Sequence, residues 1–108
     1  MSDVPEIDIV TLEEKMGGGS LVIDVREDDE YTGGHVAGAL HVPLATVPDK
    51  VEELPDDQAF FVICHSGGRS GRAVQFLRGQ GLDATNVTGG TSAWIDSGRS
   101  VVTGPDPL

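Results

Sequence analysis

Residues 60–77 read FFVICHSGGRSGRAVQFL, and the pattern of this stretch changes twice. The apolar residues FFVI lead into Cys64, the one cysteine of the chain, and a loop with two glycines follows. Such an apolar run predicts a strand buried on both faces. From Arg69 to Arg78, an apolar stripe at helical spacing predicts a helix, and its members are Ala73, Val74, Phe76 and Leu77. The thiol therefore lies where a buried strand meets the loop before a helix.

Strands and helices alternate on both sides of this stretch. A capping-box pattern, Thr11 followed by Glu14, predicts a short helix that ends at the glycines 17–19. The run LVIDV (21–25) predicts a second buried strand. The remaining predicted elements are a helical turn within 26–35, a short strand at 40–42, a short helix at 46–54, a strand at 84–89 and a helix at 91–96 that contains Trp94. This alternation predicts an α/β fold with a mainly parallel sheet, in which ligands bind beyond the carboxyl ends of the strands.

The size and charge of the chain limit its organisation and its partners. With 108 residues, it is expected to form one domain over residues 1–108, with loosely held tails at 1–4 and 103–108. Eighteen acidic residues against seven basic ones give a formal charge of −11. Because such a surface repels phosphate groups, neither nucleic acid nor an anionic membrane is an expected partner. We expect a monomer.

The sequence shows no pattern of a membrane, secreted or metal-binding protein. No stretch approaches the ~18 apolar residues of a membrane helix, and the acidic N-terminus MSDVPEIDIV lacks the order of a signal peptide. A lone cysteine cannot close an internal disulfide, and no metal-ligand spacing such as Cys-x-x-Cys occurs. We therefore expect a cytoplasmic protein that needs neither a metal nor another cofactor.

The residues after Cys64 favour the thiolate, which is the nucleophilic form of cysteine. Gly67 and Gly68 allow the backbone to curl so that several N–H groups point inward, and the start of a helix adds unpaired N–H groups. Arg69, His65 and Arg72 can add positive charge in an otherwise acidic protein. A buried structural cysteine is the alternative, but it would have no need for a Gly-Gly-Arg loop. The pattern favours a reactive thiol.

Two chemistries use a loop of this kind. Protein tyrosine phosphatases surround a phosphate with a Cys-(x)5-Arg loop, whose arginine binds two oxygens. Counted from Cys64, that arginine would fall at position 70, which is Ser70, whereas Arg69 comes one residue earlier. The smaller ring suits a single sulfur atom held on cysteine better than a phosphoryl group.

Three motifs between about residues 21 and 101 resemble those of the single-domain sulfurtransferases of the rhodanese family. The first, LVIDVREDDEYTGGHVAGALHVP, is similar to the family's Asp-Val-Arg…Glu-Tyr…Gly-His segment. The second, CHSGGRS, matches its Cys-x-x-Gly-x-Arg active loop through Cys64, Gly67 and Arg69. The third, VTGGTSAWIDSG, is similar to its Gly-Gly-x-x-Ala-Trp segment. The resemblance implies a rhodanese-like domain, with helices on both faces of a mainly parallel sheet.

The resemblance also implies an activity, the transfer of sulfane sulfur. Cys64 would take a sulfur from thiosulfate or a low-molecular-weight persulfide, and the resulting persulfide would pass it to a thiol, to cyanide or to another acceptor. The loop that would bind donor and persulfide consists of His65, Ser66, Gly67, Gly68, Arg69 and Ser70. Because the chain has no second cysteine, the acceptor must be external. A sulfur-carrier protein or a cysteine desulfurase is a further expected partner.

Residues outside the loop are given supporting roles. Asp24 and Arg26 are implied to brace the active-site side of the fold, and helical spacing allows Arg26 to pair with Glu30. His35 is expected to be a structural hydrogen-bond donor rather than a base. His65 stands where the family often has arginine, which weakens the expected attraction for thiosulfate.

Two other functions stay open at this point. One is a phosphatase or arsenate reductase on the same fold, which the position of Ser70 opposes. The other is a rhodanese-like carrier or interaction module with little turnover of its own. The intact loop opposes this second alternative, because a module without chemistry has no physical need for Cys64 or Arg69.

Overall fold

The computed structural model describes residues 4–108, in which strands and helices alternate along the chain. In chain order the elements are β1 (Glu6–Ile7), α1 (Ile9–Gly17), β2 (Val22–Asp24), α2 (Asp28–Gly33), β3 (Leu40–His41), α3 (Val47–Lys50), β4 (Phe60–Ile63), α4 (Gly68–Gly79), β5 (Ala84–Val87) and α5 (Gly90–Asp96). Single 3₁₀ turns, Leu44–Thr46 and Val51–Glu53, flank α3. None of the helices in this part of the chain is long and apolar enough to span a membrane.

The five strands form one parallel sheet in the order β1-β5-β4-β2-β3. Side chains of β4 alternate between its two faces, as the pleat of a strand requires. Phe60 and Val62 pack with α3 and α4 on one face, whereas Phe61 and Ile63 pack with α1 and α5 on the other. The predicted α/β fold, with helices on both faces of the sheet, is confirmed.

The elements follow the sequence pattern, and the largest differences lie at β1, at the segment 46–54 and at the start of α1. Strand β1 was not predicted, because a two-residue strand leaves no periodicity, and it joins the sheet by pairing with Asn86 and Val87. The predicted helix at 46–54 is one α-helical turn between two 3₁₀ turns. Helix α1 begins at Ile9 rather than near Thr11, because the Asp8 carboxylate accepts a hydrogen bond from the Thr11 N–H at 2.9 Å and caps the helix.

Two predicted core residues have different outcomes. Trp94 is 6% exposed, and its indole N–H donates to the Ser100 carbonyl at 2.9 Å. Phe76 was placed in the apolar stripe of α4, but it is 38% exposed. It lines an open pocket of about 240 Å³ between α3 and α4, together with Leu44, Val47, Pro48, Arg72 and Ala73. The stripe of α4 is therefore narrower than the sequence predicts.

The C-terminal segment, for which a loosely held tail at 103–108 is expected, makes two backbone hydrogen bonds to the domain. The Gly104 N–H donates to the Thr32 carbonyl at 2.8 Å, and the Pro107 carbonyl accepts from the Gly38 N–H at 2.9 Å. The polar composition of the tail did not reveal these backbone partners. At the other end, Val4 packs against the core, and residues 1–3 of the other expected tail lie outside the described residues.

Candidate functional site

The site lies at the carboxyl edge of the sheet, where Cys64 directly follows β4. Cys64 is 1% exposed and packs at the edge of the core on the α4 side. The chain turns through Gly67, whose φ of +113° is a backbone conformation that favours glycine, and helix α4 begins at Gly68. The predicted junction of a strand, a tight loop and a helix is thus present, with the thiol inside the turn.

Hydrogen bonds from the loop reach the sulfur of Cys64. The Gly67 N–H donates to Sγ at 3.1 Å. The Ser70 hydroxyl oxygen lies 3.2 Å from Sγ and 2.5 Å from the Asn86 Oδ1, so its one proton is shared between these two acceptors. Burial of the thiol is the largest single influence and raises its pKa, but the Ser70 hydroxyl and the N–H groups of Ser70, Gly67 and Ser66 oppose it. Their combined effect holds the pKa of Cys64 below its ordinary value. The loop therefore favours the nucleophilic thiolate.

Replacing Ser70 with alanine is expected to raise the pKa of Cys64, because the hydroxyl proton that the sulfur shares with Asn86 is removed. Loss of a hydrogen bond worth about 1.4 kcal/mol lowers the thiolate fraction about tenfold at pH values below the pKa. The thiolate of the variant is more basic than that of the parent protein, and each thiolate is therefore about threefold more reactive. Alkylation of Cys64 by iodoacetamide should therefore be about threefold slower below the pKa and about threefold faster on the alkaline plateau.

The pH profile of alkylation distinguishes this effect from general disturbance of the loop. Ser66→Ala is the matched control, because Ser66 lies in the same loop and is exposed. Its profile should overlay that of the parent protein. A Ser70→Ala profile that is slower at every pH would contradict a role in stabilising the thiolate.

Helix α5 holds the loop from the opposite side. The Thr91 N–H donates to the Cys64 carbonyl and the Ser92 N–H donates to the His65 carbonyl, each at 2.9 Å. This approach depends on Gly90, because a Cβ atom there would lie 2.5 Å from the Cys64 carbonyl oxygen. The second glycine of the Gly-Gly motif, at the start of α5, is therefore required because the backbone there lies in close contact with the active loop.

Asn86 is a site residue that sequence reasoning missed. It is 3% exposed on β5, and its Oδ1 lies 2.5 Å from the Ser70 hydroxyl oxygen, where it shares the hydroxyl proton with Cys64 Sγ. Its Nδ2 donates to the Gly67 carbonyl at 3.1 Å. The amide thus contacts both residues whose donors reach the sulfur. The signal in the sequence was a polar residue inside a short predicted strand. A buried amide needs hydrogen-bond partners, so this residue indicated other polar groups nearby.

Arg69 of the active loop forms an ion pair with Glu30 of α2. Its two terminal nitrogens donate to the two carboxylate oxygens at 2.7 and 2.8 Å, in a bidentate arrangement. The Arg69 guanidinium lowers the pKa of Glu30 to about 2, and the Glu30 carboxylate raises the pKa of Arg69. The predicted pair of Glu30 with Arg26 is therefore wrong, because the Glu30 carboxylate pairs with Arg69, 39 positions away in the sequence.

Arg26 instead pairs with Asp24, and both side chains are buried. Arg26 donates from Nη2 to the Asp24 carboxylate at 2.8 Å, and from the same nitrogen to the Gly34 carbonyl at 2.9 Å. Asp24 is 0% exposed and Arg26 is 4% exposed. These contacts tie the end of β2 to the end of α2. Neither side chain makes a hydrogen bond to the sulfur within residues 4–108, which is consistent with the predicted bracing role.

The other predicted residues have distinct places. His65, Ser66 and Gly68 are exposed at the loop surface. His35 is buried and structural, with Nδ1 2.8 Å from the Tyr31 carbonyl oxygen. Across residues 4–108, no group of three or more His, Cys, Asp or Glu side chains is arranged to hold a metal ion.

The fold and the site define a class of protein. A parallel α/β sheet carries a single buried thiol at its carboxyl edge, and a strand-loop-helix junction donates hydrogen bonds to that thiol. Cysteine-loop sulfurtransferases and phosphatases both meet this description. Residues 9–97 match the sequence profile of the rhodanese-like domain, so the chain belongs to the rhodanese-like domain family.

Comparison with known proteins agrees with this membership. The chain is 37% identical over 94 residues to a putative sulfurtransferase, YtwF, from Bacillus subtilis, covering 85% of this chain and 91% of the relative. It is 31% identical over 121 residues to the protein HIGH ARSENIC CONTENT 1, mitochondrial, from Arabidopsis thaliana, covering 100% of this chain and 72% of the relative. A crystal structure of a rhodanese-related protein from Thermoplasma volcanium is 35% identical, with a TM-score of 0.86, over 93% of this chain and 99% of the other.

Proposed function

We propose that the protein is a rhodanese-type sulfurtransferase that carries the transferred sulfur as a persulfide on Cys64. The observation that carries this proposal is the position of Cys64 Sγ at the carboxyl edge of the sheet, where it accepts from the Gly67 N–H and shares the proton of the Ser70 hydroxyl. These hydrogen bonds favour a thiolate at the carboxyl edge of the sheet, which is the edge where parallel α/β folds bind their ligands. Family membership and the relative named as a putative sulfurtransferase support the same reaction.

The first half-reaction would load the cysteine. The Cys64 thiolate attacks the outer sulfur of a sulfane donor, and the S–S bond of the donor breaks with its electron pair leaving on the donor remainder. With thiosulfate the leaving group is sulfite, and the negative charge stays on the terminal sulfur of the new persulfide. The N–H groups of the loop would stabilise that charge, as an oxyanion hole stabilises developing negative charge.

The second half-reaction would need an acceptor from outside the chain. With one cysteine in the sequence, no internal thiol can attack the persulfide. A thiolate or cyanide would attack the terminal sulfur and return Cys64 to the thiolate, which gives ping-pong kinetics. A sulfur-carrier protein could be the acceptor, and a cysteine desulfurase could be the donor.

Intact mass spectrometry tests the loading step. The reduced protein, after brief incubation with thiosulfate or with glutathione persulfide, should gain one sulfur, ~32 Da, as expected for a covalent intermediate on its nucleophile. Cyanide should remove the added mass. Cys64→Ser and protein previously alkylated at its single thiol should gain nothing. A folded, reduced protein that gains no mass from either donor would overturn the proposal and leave an interaction module as the better description.

Arsenate reduction is a second candidate because of the Arabidopsis relative named for arsenic content. It would also begin at Cys64, but Ser70 occupies the position where the phosphatase-type loop has its arginine. Formation of arsenite from arsenate, with glutathione as the reductant, measures this activity directly. Arsenite formation faster than thiocyanate formation from thiosulfate and cyanide would reverse the order of the two candidates.

A further inference from the structure

The one arginine of the active loop is already occupied by an acidic partner. Both terminal nitrogens of Arg69 donate to Glu30, and the Glu30 Oε1 also accepts from the Glu27 N–H at 3.0 Å. The Arg69 and Glu30 side chains are 29% and 31% exposed, so the pair is partly shielded from water. The carboxylate is thus held in place by α2 as well as by the arginine.

This pairing removes the positive charge that a dianionic donor would need. Glu30 is one of four consecutive acidic residues, 27–30, at the start of α2, in a chain of formal charge −11. The nearby Arg26 is buried and pairs with Asp24, so it offers no free charge to a donor. Among the residues that the structure describes, the α2 side of the loop therefore presents no unpaired arginine, whereas Arg72 of α4 is exposed on the side of the pocket between α3 and α4.

We infer that Glu30 is a specificity-determining residue that neutralises Arg69 and so directs the site to monoanionic sulfane donors, such as thiosulfonates and small persulfides, in preference to dianionic thiosulfate. This inference rests on the proposed sulfurtransferase function. The chemistry is the same for both donor classes. The Cys64 thiolate takes the outer sulfur, and the donor S–S bond breaks to release sulfite from thiosulfate or a sulfinate from a thiosulfonate.

Steady-state kinetics with two donors of different charge provide the test. Thiosulfate carries two negative charges and methanethiosulfonate carries one, and cyanide serves as the acceptor for both. In a ping-pong mechanism, kcat/KM for the donor reports only the loading half-reaction. Formation of thiocyanate is measured at constant ionic strength for the parent protein and for Glu30→Gln, which retains an oxygen acceptor for the Glu27 N–H.

The expected result follows from Coulomb's law. Freeing Arg69 adds one positive charge near the donor, and the interaction energy of a dianion with that charge is twice that of a monoanion. The fold-increase in kcat/KM that Glu30→Gln causes for thiosulfate should therefore be the square of the fold-increase for methanethiosulfonate. An example is about tenfold for thiosulfate and about threefold for methanethiosulfonate. The gain should shrink as salt is added.

Two further variants separate local from general charge effects. Asp28→Asn removes the same unit of charge from the same helical turn, but Asp28 is 92% exposed and makes no contact with Arg69. It should change kcat/KM for thiosulfate by less than about twofold, because exposed charges are screened. In the double variant Glu30→Gln/Arg69→Gln, the gain for thiosulfate should disappear, since the charge that Glu30 masks is no longer there.

Each remaining outcome decides the inference. An equal fall in kcat/KM for both donors in Glu30→Gln would show that the pair only holds the loop in place, and would overturn the inference alone. An equal increase in kcat/KM for thiosulfate in Asp28→Asn and in Glu30→Gln would also overturn the inference. Failure of thiosulfate and methanethiosulfonate to load Cys64, with glutathione persulfide still loading it, would overturn the inference alone. Failure of all three donors would overturn the proposed function, and the inference with it.

Discussion

Gly90→Ala is expected to destabilise the domain strongly and to abolish sulfur loading on Cys64 in the protein that stays folded. A Cβ atom on residue 90 would lie 2.5 Å from the carbonyl oxygen of Cys64 and 2.6 Å from that of His65. Both neighbours are backbone, so neither can rotate away. The φ of +58° adds the strain that an L-residue feels in the left-handed region. Overpacking and this strain together predict a loss of about 2–5 kcal/mol in the free energy of unfolding.

Gly98→Ala is the matched control for Gly90→Ala. Gly98 also has a left-handed φ, +87°, and follows the same helix, but a Cβ atom there meets nothing within 4 Å. Its substitution should cost only the conformational strain, about 1–2 kcal/mol, and should leave sulfur loading unchanged. Urea unfolding and intact-mass loading of both variants measure the two effects. Equal destabilisation by both would contradict the contact between α5 and the active loop as the reason for Gly90.

The elements of this fold could be predicted because each leaves a local pattern. The buried strands appear as apolar runs at 22–24 and 60–63, and helix α4 appears as a stripe between glycines. The junction that holds Cys64 is local too, since strand, loop and helix are continuous in the chain. These features depend on neighbours in sequence, which a single sequence displays directly.

The contacts that tune the site join segments far apart in the chain, and no local pattern identifies them. Helical spacing suggested that Glu30 pairs with Arg26. In the fold, Glu30 instead pairs with Arg69, and Arg26 pairs with a buried aspartate. Asn86 meets the active loop only because β5 lies beside β4 in the sheet. Residue types can suggest that a charge or an amide needs a partner, whereas the choice of partner is made by tertiary structure.

Asp24→Ala is expected to destabilise the domain by about 3–5 kcal/mol, because it leaves the charge of Arg26 buried without a partner. Asp24 is fully buried, and it accepts from the Arg26 side chain and from the Arg26 N–H at 3.0 Å. The loss approaches the whole stability of a small domain. The folded fraction that remains should still load sulfur, since neither side chain is hydrogen-bonded to Cys64 within the part of the chain that the structure describes.

A second Arg–Asp pair in the same chain shows how burial decides this outcome. Arg78 contacts Asp83 at 3.2 Å, but these side chains are 43% and 63% exposed. Asp83→Ala should therefore change the free energy of unfolding by no more than about 1 kcal/mol. The double variant Asp24→Leu/Arg26→Met should be more stable than Asp24→Ala, because it removes the buried charge of Arg26 together with that of its partner. Urea unfolding measures all three. If Asp24→Ala kept its stability but lost sulfur loading, Asp24 would act in the reaction rather than as a brace.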